Sequence, residues 1–202
     1  MNRYNFSPRI GVLALQGDFE AHIKMLTKLG VEGIAIRLPE QLAQIDGIII
    51  PGGESTAIGK LMVIYHLQDV LRRKIQQGLP IWGTCAGLIL LAKETDNALA
   101  GQPLLASMDI RVRRNAFGSQ RESFETDLSV PVLGEALFHA FFIRGPLIEM
   151  VGPQVEVLAR LSDGTIVAAR QGNLLGTAFH PEVTDDTRFH EYFLRIVQSV
   201  NR

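Results

Sequence analysis

The chain has 202 residues, 47% hydrophobic and 20% charged, with 20 Lys+Arg against 21 Asp+Glu and a formal net charge of −1. That balance excludes disorder and gives no electrostatic basis for capturing nucleic acid or an acidic membrane surface. One cysteine forbids an intrachain disulfide, no cluster of Cys and His has zinc spacing, and no apolar run approaches the roughly 18 residues that cross a bilayer. Met1 to Arg9 is too polar for a secretory signal. A soluble, cytoplasmic protein with no metal and no cofactor is expected. A chain of this length can bury roughly 70% of its extended surface, so one hydrophobic core suffices, and with no linker or repeat visible, residues 1–202 read as a single domain.

Ile10–Gln16 is an apolar run ended by Gly17 and reads as a buried strand. Asp18 can cap a following helix whose apolar residues Phe19, Ile23, Leu26 and Leu29 keep the 3.6 period until Gly30. Ile34–Leu38 is a second strand, a short helical turn falls near Gln41, and Gly47–Ile50 is a third strand broken by Pro51-Gly52-Gly53. Ala57–Gln77 has a helical pattern with a break near Tyr65. Leu79–Trp82 is a fourth strand that runs directly into Gly83-Thr84-Cys85-Ala86-Gly87 and a helix through Ala92. Strands alternating with helices predict crossover units and a parallel sheet.

The second half changes character. Asp109–Arg113, Ser123–Leu128, Glu135–Ile143, Val155–Leu161, Ile166–Arg170 and Leu174–Phe179 read as strands, with Asp163-Gly164 and Gly172-Asn173 as hairpin turns, so antiparallel pairing is expected there. Arg188–Val200 closes the chain as an amphipathic helix facing inward through Phe189, Tyr192, Phe193, Ile196, Val197 and Val200. Thr184-Asp185-Asp186 supplies its cap and acidic first turn.

Cys85 is flanked by glycines two residues before and two after, between a strand and a helix. That is the pattern of a nucleophile elbow with Cys in place of Ser, where glycine permits a strained turn and the next N–H, that of Ala86, points at the group attacked. A thiolate nucleophile needs a base and an orienter. His180 and Glu182, two apart at the end of the last strand, face the same side if the chain is extended, so Glu182 can hold one imidazole nitrogen while the other faces Cys85. His22, His66 and His190 fall in helical patterns and His139 in a strand, where solvated or packed roles are expected. A metal group of His180, Glu182, Asp185 and His190 has no recognised ligand spacing. Pro51-Gly52-Gly53-Glu54-Ser55-Thr56 can offer backbone N–H groups to an oxyanion, near Gly53, or serve as a tight turn; without a lysine it is a weak phosphate loop. A guanidinium such as Arg114 or Arg144 suits a substrate carboxylate, although spacing alone does not select these two.

The GGES loop, the GTCAG elbow and the late His-Pro-Glu resemble the class I, triad-type glutamine amidotransferases. Over nearly the whole chain the likeness is closer to the glutaminase subunits of pyridoxal 5′-phosphate synthase. It is carried by GVLALQGDFEAH from Gly11, LPEQL from Leu38, IIIPGGEST from Ile48, GTCAGLILLAKE from Gly83, RNAFGSQRESFE from Arg114, FIRGP from Phe142 and FHPEVTDD from Phe179. The resemblance implies a flavodoxin-like, doubly wound three-layer α/β domain with a mixed, mainly parallel sheet. It also implies hydrolysis of L-glutamine to glutamate and ammonia, with Cys85 as nucleophile, His180 as acid and base and Glu182 as orienter. Glutamine contacts are implied at Gly52, Gly53, Glu54, Arg114, Ile143 and Arg144, oxyanion donors at Gly53 and Ala86, and a synthase partner that takes the ammonia within a large hetero-oligomer. Three places depart from the family pattern: Arg113 stands for an acidic residue, Gly145 for Ala, and Phe19-Glu20-Ala21 for an Arg-Glu pair before His22.

Overall fold

A computed structural model describes residues 8–97, 101–116 and 123–200. The crossover half runs β1 (Arg9–Leu13), α1 (Phe19–Lys28), β2 (Glu32–Ile36), a 3-10 turn (Pro39–Gln44), β3 (Gly47–Ile50), α2 (Ser55–Ile64), α3 (Leu67–Gln76), β4 (Ile81–Thr84) and α4 (Ala86–Leu91). The second half adds β5 (Ala92–Asp96), β6 (Met108–Arg113), β7 (Ser123–Leu128), β8 (Phe138–Ile143), β9 (Leu147–Val151), β10 (Glu156–Arg160), β11 (Ile166–Gln171), β12 (Leu174–Thr177) and α5 (Arg188–Val200).

The main sheet has the order β2-β1-β3-β4-β12-β11-β9-β6-β5, with β10 pairing β11 off this path. The first five strands are mutually parallel. β11 runs antiparallel to β12 and to β9, β9 antiparallel to β6, and β5 returns parallel to β6. β7 and β8 form a separate antiparallel ribbon. This is the mixed, doubly wound α/β architecture expected, and no helix among the described residues is long and apolar enough to cross a membrane.

Helices cover both faces. Trp82 of β4 stacks toward Phe189 and Phe193 of α5, while the next residue, Gly83, faces α4, as the two-residue strand period demands. α5 lies close on β3: a Cβ at Gly47 would come within 2.7 Å of Val197 Cγ2. Phe138, Phe142, Phe179, Phe189 and Phe193 are all essentially buried, so the β8 ribbon and α5 share one aromatic core beside the sheet. The helical pattern over 57–77 breaks where expected, because His66 takes a left-handed conformation (φ 57°) between α2 and α3.

Several boundaries differ from the sequence reading. β1 stops at Leu13, since Gln16 leaves the strand to bond the Glu54 backbone. β2 starts two residues earlier than expected and ends at Ile36, and β4 starts at Ile81 and continues to Thr84. β8 starts at Phe138 rather than Glu135, because Pro131–Leu133 forms a 3-10 turn and Gly134 takes a positive φ of 108°. The last strand, β12, ends at Thr177, short of Phe179. At α5, Asp186 Oδ1 accepts from the Arg188 N–H and the Thr187 hydroxyl donates to Glu191, whereas Asp185 points outward to Lys28. β5 and β9 are strands that periodicity missed.

Candidate active site

Cys85 ends β4 and begins α4 with φ 49° and ψ −102°, a conformation that costs a side-chain-bearing residue of order 1–3 kcal/mol. The flanking glycines work differently from expectation: neither Gly83 nor Gly87 has a positive φ, so the strained dihedral sits on Cys85 itself. What the glycines permit is close approach. A Cβ at Gly83 would lie 2.4 Å from the Gly87 carbonyl, and one at Gly87 would lie 2.1 Å from the Ile50 carbonyl oxygen on β3. α4 therefore presses directly on the sheet and holds the turn. The Cys85 N–H donates to Thr177 O at 2.8 Å, tying the elbow to β12, and Sγ lies 3.9 Å from the Ile143 carbonyl.

β12 runs parallel beside β4 with Thr177 opposite Thr84, so the segments leaving the two strands emerge side by side. His180 is fixed there by its N–H donating to Phe141 O at 2.9 Å. Glu182 does not follow in extended chain as expected. Pro181–Val183 forms a 3-10 turn, which folds the carboxylate back so that Oε1 lies 2.7 Å from His180 Nδ1. The Cys85 side chain stands close enough to the imidazole to favour its protonated form. Cys85, His180 and Glu182, 95 residues apart at the extremes of the first pair, thus form one chain of contacts. Burial would lower the His180 pKa, but the hydrogen bonds and charges of Cys85 and Glu182 outweigh it and raise it to about 10. Burial likewise opposes ionisation of Glu182, yet His22 and the bond to His180 hold its pKa below the ordinary carboxylate value.

The glycine loop after β3 closes over this pair. A methyl at Gly52 would lie 2.4 Å from His180 Cε1, so the imidazole rests against bare backbone. The Gly52 carbonyl accepts from Asp18 N–H at 3.3 Å, and Gln16 Oε1 accepts from Glu54 N–H at 2.8 Å, so the β1–α1 turn clamps the loop. No peptide bond among the described residues is cis, so the Gly53 N–H points opposite to that carbonyl, away from Asp18. Glu54 caps α2 by accepting from the Thr56 and Ala57 N–H groups at 3.0 and 2.6 Å. Partial burial works against its charge; those two bonds and Arg114 prevail and lower its pKa. Arg114 is itself held, donating to Glu54 Oε1 at 3.1 Å, Gln102 Oε1 at 2.8 Å and Thr56 Oγ1 at 3.3 Å. Ile143 and Arg144 sit where β8 ends, Arg144 in a left-handed conformation with φ 45°.

One cavity of about 500 Å³ brings together Gly52, Gly53, Glu54, Cys85, Ala86, Arg114, Ile143, Arg144 and His180. That size lies in the range of small-molecule sites. Glu182 stands behind His180 and does not line it. Asp18, Ser55, Ile89 and Asn115 also line the cavity; all four fall inside the segments that carry the resemblance, but none is among the contacts it implies. Residues 117–122 of the RNAFGSQRESFE segment lie outside the described residues. Asp185 pairs with Lys28 at the surface and His190 is wholly buried against His22, so the metal group weighed from sequence does not converge. Among the described residues no three His, Cys, Asp or Glu are placed to hold a metal. Of the family departures, Arg113 is accounted for locally by an ion pair with Glu149 on β9.

A buried nucleophile-type cysteine on a strained turn, beside an oriented imidazole and opening onto a small cavity, can perform acyl transfer through a covalent intermediate. Comparison with known proteins agrees in kind. Residues 12–199 match the SNO glutamine amidotransferase family. The pyridoxal 5′-phosphate synthase subunit PdxT of Herpetosiphon aurantiacus is 62% identical over 186 residues, 92% of this chain and 98% of that one. The protein of the same name from Leifsonia xyli subsp. xyli is 56% identical over 188 residues, 93% of this chain and 95% of its own. A crystal structure of a glutamine amidotransferase superposes with a TM-score of 0.88 at 49% identity, covering 93% of this chain and 98% of that one. With a family match over nearly its whole length and relatives more than half identical, this chain belongs to the SNO glutamine amidotransferase family.

Proposed function

We propose that the chain, acting as one glutamine amidotransferase domain over residues 1–202, hydrolyses L-glutamine to L-glutamate and ammonia. It then supplies the ammonia to a pyridoxal 5′-phosphate synthase partner in a cytoplasmic hetero-oligomer. The observation that carries this reading is the Cys85–His180–Glu182 chain of contacts at a small cavity, in a protein so similar to subunits bearing that synthase name. The Cys85 sulfur attacks the carboxamide carbon, and the carbonyl electrons move onto oxygen. As that tetrahedral state collapses, the carbon–nitrogen bond breaks and the His180 imidazolium gives its proton to the departing ammonia. A water then loses a proton to the same imidazole, attacks the thioester carbon, and releases glutamate and the sulfur through a second oxyanion.

The N–H groups of Gly53 and Ala86 are the proposed donors to both oxyanions, each such donor being commonly worth about 3–4 kcal/mol. Arg114 and Glu54, bonded to each other at the cavity wall, present a positive and a negative group to the zwitterionic end of glutamine. Arg144, Ile143 and Gly52 complete the contacts around the side chain. The test is glutamine hydrolysis by wild type and Cys85→Ala, each with and without the synthase subunit. Loss of ammonia release in a variant that still folds and still joins the synthase is expected; retained hydrolysis would overturn the assignment.

A further inference from the structure

Behind the proposed triad lies a second set of buried polar groups. Glu182 turns Oε1 toward His180, while its other oxygen, Oε2, is buried and makes no regular hydrogen bond among the described residues. His22 Nε2, on α1, stands 3.4 Å from that oxygen. The same nitrogen lies 3.3 Å from Thr84 Oγ1, and His22 Nδ1 lies 3.0 Å from His190 Nε2 on α5. Both histidines are fully buried, and Trp82 packs edge-on against each, with ring centroids 5.5 Å away for His22 and 4.8 Å for His190. His190 Nδ1 has no hydrogen-bond partner among the described residues.

We infer that His22 is a positioning residue for Glu182, offering it an Nε2–H, and that His190 sets the His22 tautomer by donating its own Nε2–H to His22 Nδ1. The inference rests on the triad reading above and follows from counting protons. If His22 carried its hydrogen on Nδ1, its Nε2 lone pair would face a buried carboxylate. His190 would then carry its hydrogen on Nδ1, leaving an N–H buried with no acceptor, which native structures rarely tolerate. The opposite tautomers turn the Nε2–H toward Thr84 Oγ1, at 3.3 Å, with the carboxylate oxygen beside it at 3.4 Å, so the hydrogen's positive charge faces the anion and only a lone pair is left unmatched. Burial lowers the pKa of both histidines, consistent with two neutral rings. Held from behind, the carboxylate keeps Oε1 aimed at His180 Nδ1, and His180 keeps its other nitrogen on Cys85. His22 therefore acts through Glu182 and touches no substrate.

The experiment compares wild type, His22→Gln, His22→Leu and Cys85→Ala, each as the full chain with its synthase subunit, and records the histidine ¹⁵N–¹H spectrum of the wild type. Leucine fills the space without a donor; glutamine returns an amide N–H at similar reach. The expected result is a kcat about tenfold to a hundredfold lower in His22→Leu with KM within about twofold, because orientation of the acid–base pair is lost and binding is kept. His22→Gln should recover most of that loss, and both rings should show the Nε2–H tautomer. A folded His22→Leu with wild-type kcat, or an Nδ1–H tautomer at His22, would overturn the inference. If His22→Leu does not fold, the glutamine variant and the spectrum still decide. Activity retained in Cys85→Ala would instead strike the triad reading, whereas the tautomers are read independently of it.

Discussion

The central parallel strands and the strands β6, β7 and β8 of the second half are built under different rules. β3, β4 and β12 are buried at every position, as strands covered by helices on both faces must be. β6, β7 and β8 alternate between covered and open positions. The chemistry follows the same division. Gly52, Cys85 and His180 all lie just beyond the carboxyl ends of the wholly buried strands, the place where ligands bind in open α/β sheets. The antiparallel half contributes walls and anchors: Ile143 and Arg144 from the end of β8, Arg114 after β6, and the Phe141 carbonyl that holds His180. Wholly buried strands therefore fix Gly52, Cys85 and His180, and the more open strands shape the rest of the cavity wall.

Variants can break or sharpen that contrast. The largest effect is expected for Glu182→Ala, which frees His180 and should cut kcat for glutamine hydrolysis by about 10³-fold or more, measured with the synthase present. Gly87→Ala comes next. Its Cβ would meet the Ile50 backbone, which cannot yield as a side chain can, so chemical denaturation should show a loss of about 3 kcal/mol or more. Arg114→Ala, on the wall, should raise KM about tenfold to a hundredfold with a smaller change in kcat, as expected for losing a charged hydrogen bond to substrate.

A pH effect ranks below these. His22 and His190 have pKa values below 6.5 in the folded protein, so the unfolded chain takes up protons first as the solution is acidified. Their contribution to stability is whole above pH 6.5 and is lost as pH falls toward the folded values. His180, with its pKa raised to about 10, adds stability as pH falls toward 6.5, so the comparison is between variants: over thermal melts from pH 7.5 to pH 5, wild type should lose more stability, or gain less, than His190→Phe. The smallest effect belongs to the β7–β8 ribbon. Asp127→Asn removes a carboxylate that pairs with His139 at the surface, and should shift stability by no more than about 0.5 kcal/mol. A cost comparable to Gly87→Ala would erase the distinction between the halves.

Legibility in the sequence followed the same physical lines. Gly47-Ile48-Ile49-Ile50 announces a strand covered on both faces, and the bounds of β7 and α5 coincide with those of their apolar patterns. β5 escaped because Lys93, Glu94, Thr95 and Asp96 follow α4 with no breaker between them, and β9 because Leu147–Val151 is a short run between Gly-Pro pairs. The elbow was legible, but the reason for its glycines was not, since contact with Ile50 depends on how α4 seats on the sheet. The return of Glu182 onto His180 depends on a 3-10 turn rather than on strand alternation. His22 and His190 could not be matched by any local pattern, because 168 residues separate them and only packing against Trp82 brings them together.

The insertion of β12 between β4 and β11 bears on how the protein comes to life during synthesis. Until that strand emerges from the ribosome and docks, the elbow lacks the Thr177 carbonyl that anchors it and the His180 imidazole proposed as its acid and base. A nascent chain carrying every residue through the GTCAG segment thus lacks two members of the proposed triad, and on that reading ammonia release waits until synthesis has passed Glu182.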